Sequence, residues 1–281
     1  MEEPSRPNAP DLRVEGVWAA FGLPRIRKLS IFDSLDQVTI PHCEKDARTS
    51  HVTHLAVIGW DTSYFSFAAT KWLLTLPTRL VHLSFFMLDY DHPADTTYSL
   101  SNKAVSGLLA VHQNSLEYLD FYRQRTASFR KPHSSTHTPM DLLRRFRCLK
   151  SLMVHPEDLL GGCCGSSKAP FRLRDTLPPN LGYLAFYANG HATRLSDMEA
   201  EITEAVYDKD LASLKTLVLE KADGKARGSK DSVDGSWPTL RGACEEMGTD
   251  FRIADLDTLP SGGSNIPAHR RSWGNRSASA D

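Results

Sequence analysis

Seven segments of the chain share the spacing apolar-x-x-Leu-x-apolar: Ile26, Leu29 and Ile31; Val52, Leu55 and Val57; Leu80, Leu83 and Phe85; Leu116, Leu119 and Phe121; Leu149, Leu152 and Val154; Leu181, Leu184 and Phe186; Leu214, Leu217 and Leu219. They recur at intervals of 26 to 36 residues, and a weaker eighth copy, Phe251 with Ile253, follows Leu217 by 34 residues at the matching position. A fixed period of this kind is the signature of stacked units that bury their apolar sides only against each other.

Each copy ends in a two-residue alternation, which turns one set of side chains to one face of a strand and the next set to the other. Between copies lie stretches with helical features: Phe67 to Leu76, Asn102 to His112, Asp141 to Phe146 and Ser196 to Tyr207. Ser196 with Glu199 fits a capping box, and Thr138 followed by Pro139 fits a helix start with proline in its first turn. A strand, a crossover of a dozen residues or more and another strand imply parallel pairing. The expected fold class is therefore α/β: an irregular leucine-rich-repeat solenoid, with about eight parallel strands on its concave face and helices and loops on its convex face.

Prolines just ahead of strands, at Pro24, Pro77 and the pair Pro178 and Pro179, stop the return legs. Four stretches rich in Gly, Ser, Lys and Asp read as exposed loops: Asp89 to Ser101, Thr126 to Thr138, Gly161 to Pro170 and Ala222 to Ser236. The domain plan is a disordered N-terminus at 1–10, a solenoid over 11–258 and a disordered tail over 259–281. Within it, Val14 to Phe21 reads as a helix closing the first repeat, since an open end would expose core.

The L-x-x-L-x-L strands, the proline before the strand and repeats longer than the usual ~20 to 29 residues resemble the degenerate leucine-rich-repeat region of fungal F-box-associated proteins. The likeness runs from Phe21 to Ile253. It implies a substrate-receptor or scaffold role, with an N-terminal F-box that recruits the adaptor of a ubiquitin ligase. Only Leu12 to Phe21 precedes the first strand and no F-box is found there, so adaptor recruitment is not expected. The chain then reads as a fragment, or as a paralogue that has lost its F-box.

Composition narrows the rest. With 33 basic and 34 acidic residues the net charge is −1, so nothing draws the whole molecule to nucleic acid or anionic lipid. No apolar run approaches the ~20 residues of a membrane span, and no secretory signal opens the chain. Five irregularly spaced cysteines point to a reducing compartment, cytoplasmic or nuclear.

Gly161 to Lys168 lacks the lysine directly after the last glycine that a phosphate loop needs, and Cys163 and Cys164 are adjacent rather than spaced for zinc. No nucleophile elbow, metalloprotease helix or dinucleotide fingerprint appears. The expectation is no enzyme, no cofactor and no metal, with an undetected hydrolase as an alternative.

If the motif residues face the core, their alternates face the concave side. The column after each motif holds Phe32, Ile58, Phe86, Tyr122, His155, Tyr187 and Glu220. A second holds Ser30, Ala56, Ser84, Asp120, Met153, Ala185 and Val218, mostly small, and a third Lys28, His54, His82, Tyr118, Ser151, Tyr183 and Thr216. An aromatic column beside a shallow one fits a trough for another protein. The predicted contacts are Phe32, His54, His82, Phe86, Tyr118, Tyr122, His155, Tyr183 and Tyr187.

Charge along the chain is uneven. Phe121 to Asp175 holds eleven basic residues against four acidic, and Leu195 to Glu220 holds two against seven, which predicts a bipolar molecule. The alternative site is the basic cluster Arg144, Arg145, Arg147 and Lys150, suited to RNA or an acidic partner.

Overall fold

The computed structural model describes residues 19–32, 48–59, 67–88, 102–124, 140–160, 171–187, 198–220 and 237–254. Eight strands form one parallel sheet in chain order. They are β1 (Lys28–Phe32), β2 (His54–Gly59), β3 (His82–Leu88), β4 (Tyr118–Gln124), β5 (Ser151–Val154), β6 (Tyr183–Phe186), β7 (Thr216–Glu220) and β8 (Asp250–Ala254). The register keeps the repeat in step: Leu29, Leu55, Leu83, Leu119, Leu152, Leu184, Leu217 and Phe251 are paired one after another across the sheet.

The six central leucines of this row, Leu55 to Leu217, are all buried. The next row on the same face, Val57, Phe85, Phe121, Val154, Phe186 and Leu219, is buried with them. Both rows belong to one apolar core that includes the return-leg residues Leu73, Leu109, Leu143, Leu173, Ile202 and Leu240. The helices therefore cover a single face of the sheet.

Return legs vary in form because their lengths vary. Phe67–Thr75, Asn102–Leu109, Glu199–Val206 and Pro238–Met247 are α-helices, whereas Asp141–Arg145 is a single 3₁₀ stretch. Pro156–Leu160 and Leu173–Thr176 are short helices that the sequence pattern did not announce. The helix Pro238–Met247 opens with proline and ends at Gly248, whose φ of 69° lets the chain reverse into β8.

The predicted capping box, Ser196 with Glu199, rests on a residue outside the described ones. The helix begins at Glu199, and Thr138 and Pro139 likewise lie outside the described residues. Glu199 Oε1 accepts from the backbone N–H of Thr239 and Leu240, both at 3.1 Å, at the start of the following helix. On the other side Glu201 Oε1 accepts from Leu173 N–H at 2.9 Å. One helix thus caps the beginnings of both its neighbours, satisfying donors that a helix start leaves open.

Just ahead of five strands, β2, β3, β4, β6 and β8, a second device joins the units. Side chains of Thr53, Thr78, Ser115, Asn180 and Thr249 donate to carbonyls of Arg27, Ser50, Leu80, Arg147 and Leu214, each in the preceding unit. His112 works the same seam from the helix side. Its Nε2 donates to Leu74 O at 2.6 Å, and its Nδ1 accepts from Leu80 N–H at 3.3 Å. At the N-terminal end the turn at 19–22 is helical, and Phe21 is buried edge-on against Trp72, as expected of a closing helix. The terminal segments 1–10 and 259–281 and the four predicted loops lie, wholly or nearly so, outside the described residues.

Candidate binding face

The sheet face turned away from the helices carries alternate residues of every strand, in three rows. The row at the strand starts runs Lys28, His54, His82, Tyr118, Ser151, Tyr183, Thr216 and Asp250. His54 stacks on His82 at 5.4 Å between ring centroids, and His82 stacks on Tyr118 at 3.9 Å with planes 4° apart. Parallel strands in register place identical positions about 4.8 Å apart, which is why rings at one position stack. Lys28 is exposed and His54, Tyr118, Ser151, Tyr183 and Thr216 are half-buried, whereas His82, between His54 and Tyr118, is buried.

The row after the motif behaves differently. Phe86 stacks on Tyr122 at 4.4 Å, Tyr122 meets Tyr187 edge-on at 4.9 Å, and His155 lies within 5.1 Å of Tyr122 and 5.3 Å of Tyr187. The four are neighbours, as the register predicts. Yet His155 and Tyr187 are fully buried, while Phe86 and Tyr122 are half-buried. Tyr187 belongs to a second apolar cluster with Met153, Ala185 and Val218, against which Tyr118, Tyr122 and Tyr183 pack. The expectation of a solvent-facing column at this position is corrected accordingly: at its β5 and β6 end it is a small second core. Phe32 is paired in β1, but its side chain lies outside the described ones.

Asp120, in the small middle row, organises this second core. It is 2% exposed, its Oδ2 accepts from Ser84 Oγ at 3.1 Å, and its Oδ1 accepts from Tyr187 Oη at 2.5 Å. In the sequence it stands as one member of a mostly small column. An acidic residue inside the aromatic run Tyr118, Phe121 and Tyr122 of a strand was the available signal, because a buried carboxyl group needs donors.

Tyr183 feels the charge of Asp120. Its Oη is buried and has no hydrogen-bond partner among the described residues, and burial, with the Asp120 charge adding, pushes its pKa up to about 12. It remains a proton donor at any neutral pH. His82 is held neutral for a similar reason: burial first, then His54 and Lys28, lower its pKa to about 4. His54 is lowered by burial and by Lys28.

The basic cluster sits elsewhere, in the Asp141–Arg145 leg and the turn after it. Arg144 pairs with Asp210 at 2.8 Å and Lys150 with Glu117 at 2.6 Å, while Arg145 and Arg147 are exposed. Arg172 and Arg174 reach Glu201 and Glu204 at 2.6 and 2.8 Å. The basic and acidic segments that predicted a bipolar molecule are adjacent units, and on the helix side their charges pair across the junction.

Among the described residues no group of His, Cys, Asp and Glu could hold a metal ion, and no helix is long and apolar enough to cross a membrane. Cys163 and Cys164 lie outside those residues, as do His42, His133 and His137. Comparison of the chain with protein-family models, with curated proteins and with solved structures gives no match.

Proposed function

We propose that the chain is a protein-recognition module: an irregular leucine-rich-repeat solenoid, similar to the repeat region of fungal F-box-associated proteins, that holds another protein on its aromatic face. The observation that carries this reading is the ring row in which the half-buried His54 and Tyr118 stack on the buried His82, extended by the half-buried Tyr183 and flanked by the half-buried Phe86 and Tyr122. Rings already stacked lose little conformational freedom on binding, and aromatic anchors dominate interface energies.

Binding of RNA or an acidic partner through Arg144, Arg145, Arg147 and Lys150 draws less support, since Arg144 and Lys150 are engaged in ion pairs. The two readings part in one experiment. The full chain, Tyr118→Ala with Tyr183→Ala, and Arg145→Glu with Arg147→Glu are used as baits in a lysate of the source organism, with captured proteins and RNA quantified and each bait's Tm measured. Loss of a partner from the folded tyrosine variant alone supports the aromatic face. Retention of every partner by that variant overturns it, and selective, salt-sensitive loss from the arginine variant transfers the function to the basic cluster.

A further inference from the structure

The last strand ends the sheet in an unusual way. Across the sheet the residues in register with Ile253 are buried, among them Leu219 at 1% exposure, and Ile31 at the opposite edge is 7% exposed. Ile253 itself is 42% exposed, and Met247, at the end of the helix that leads into β8, is 40% exposed. Among the described residues β8 is paired with β7 alone.

Its outer edge is set up for hydrogen bonding. Asp250 N–H donates to Lys215 O at 2.8 Å, so Asp250, Arg252 and Ala254 aim their backbone groups at β7. By alternation Phe251 and Ile253 aim theirs away from it. An edge that offers free donors and acceptors beside exposed apolar side chains is a template for another strand.

The charges on β8 say which strand fits. Asp250 and Arg252 are exposed on the aromatic face and form an ion pair with each other. When two copies of β8 meet antiparallel about Phe251, the Phe251 residues exchange their outward N–H and C=O groups. Asp250 of each copy then stands opposite Arg252 of the other, in the non-hydrogen-bonded positions where side chains come closest. Sliding by two residues sets Arg252 against Arg252, or Asp250 against Asp250, so charge selects one register.

We infer that β8 is a self-association edge, and that two copies of this chain pair antiparallel through Asp250–Ala254 into one continuous sheet. The two-fold axis lies normal to the sheet, so both aromatic faces open on the same side. The pairing runs through the backbone edge of β8, at the end of the sheet beyond the stacked rings, and is argued without reference to what those rings bind.

Sedimentation of the full chain over a range of concentrations tests it, beside two single variants. Arg252→Glu sets like charges opposite one another, as does Asp250→Lys. Each alone is expected to be a monomer with an unchanged circular dichroism spectrum. Mixed in equal amounts, they restore two opposite-charge pairs and are expected to form a heterodimer. A wild type that stays monomeric at high concentration overturns the inference, as pairing of β8 within its own chain would require. Assembly growing beyond dimers overturns it in favour of β8 meeting β1 head to tail. Single variants that still dimerise, or a mixture that does not, also overturn it.

Discussion

Tyr187, one residue beyond β6, donates its hydroxyl to the buried carboxyl group of Asp120 in β4, reaching over β5 at a distance of 2.5 Å. Replacing it with phenylalanine keeps the ring and removes the donor. Losing a hydrogen bond to a charged group costs about 1.5 to 3 kcal/mol, so Tyr187→Phe is expected to lower the unfolding free energy from urea titration by about that amount. Combined with Asp120→Ala, the loss should be well short of additive, because the two share one interaction. Full additivity would sever the link between them.

The motif leucines should be the most sensitive positions in the chain. Leu119 and Leu152 are fully buried in neighbouring strands, and deleting such methylenes costs about 2 to 5 kcal/mol. Leu29, half-buried in the edge strand, should cost less when changed to alanine. Denaturant titration of the three alanine variants gives the order, and an equal loss at Leu29 would contradict the gradient.

Stability should fall on mild acidification. In the unfolded chain His82 has an ordinary pKa near 6.5, and in the fold it lies at about 4. Between those values the unfolded state binds a proton that the folded state refuses, so stability is full above about pH 6.5 and is lost as pH falls toward 4. His112 adds to the trend, since burial lowers its pKa. A proton on Nδ1 would also displace the bond from Leu80 N–H. His82→Phe, which keeps a ring in the stack, is expected to flatten the midpoint's dependence between pH 7.5 and 5 without abolishing it. An unchanged slope would deny His82 its part.

Glu199 lies in one helix and caps the next. Glu199→Ala should cost about 0.5 to 2 kcal/mol, the usual loss of a cap. The local signature is faster hydrogen exchange at the amides of Thr239 and Leu240. Protection unaltered at those two amides would show that the carboxylate is dispensable there.

The strands and their register were legible because the physics that sets them is periodic. A parallel sheet in step needs one residue type at one position in every unit, and Leu55 through Leu217 supply it. The eighth copy was legible for the same reason despite holding only Phe251 and Ile253. Solvent exposure was not legible for the column holding His155 and Tyr187, because alternation tells which face a side chain takes and not how deeply it lies there. The helices beginning at Leu173 and Pro238 carried no capping signal of their own in the sequence, because their caps, Glu201 and Glu199, come from another unit. Pairing of Arg172 and Arg174 with Glu201 and Glu204 was likewise invisible to a tally of charge along the chain, since residues about 30 apart become adjacent only once the units stack.

Among the described residues every strand shares backbone hydrogen bonds only with the strands before and after it in the chain, so load applied through the two ends passes through the backbone junctions one after another. Under tension the sheet would part at its weakest junction, and units would then peel from the exposed edges in order, each release yielding a length of slack set by the 26 to 36 residues between successive motifs. The molecule is in this respect a zipper rather than a knot: its mechanical strength is that of one junction, and its reach when extended is that of all of them.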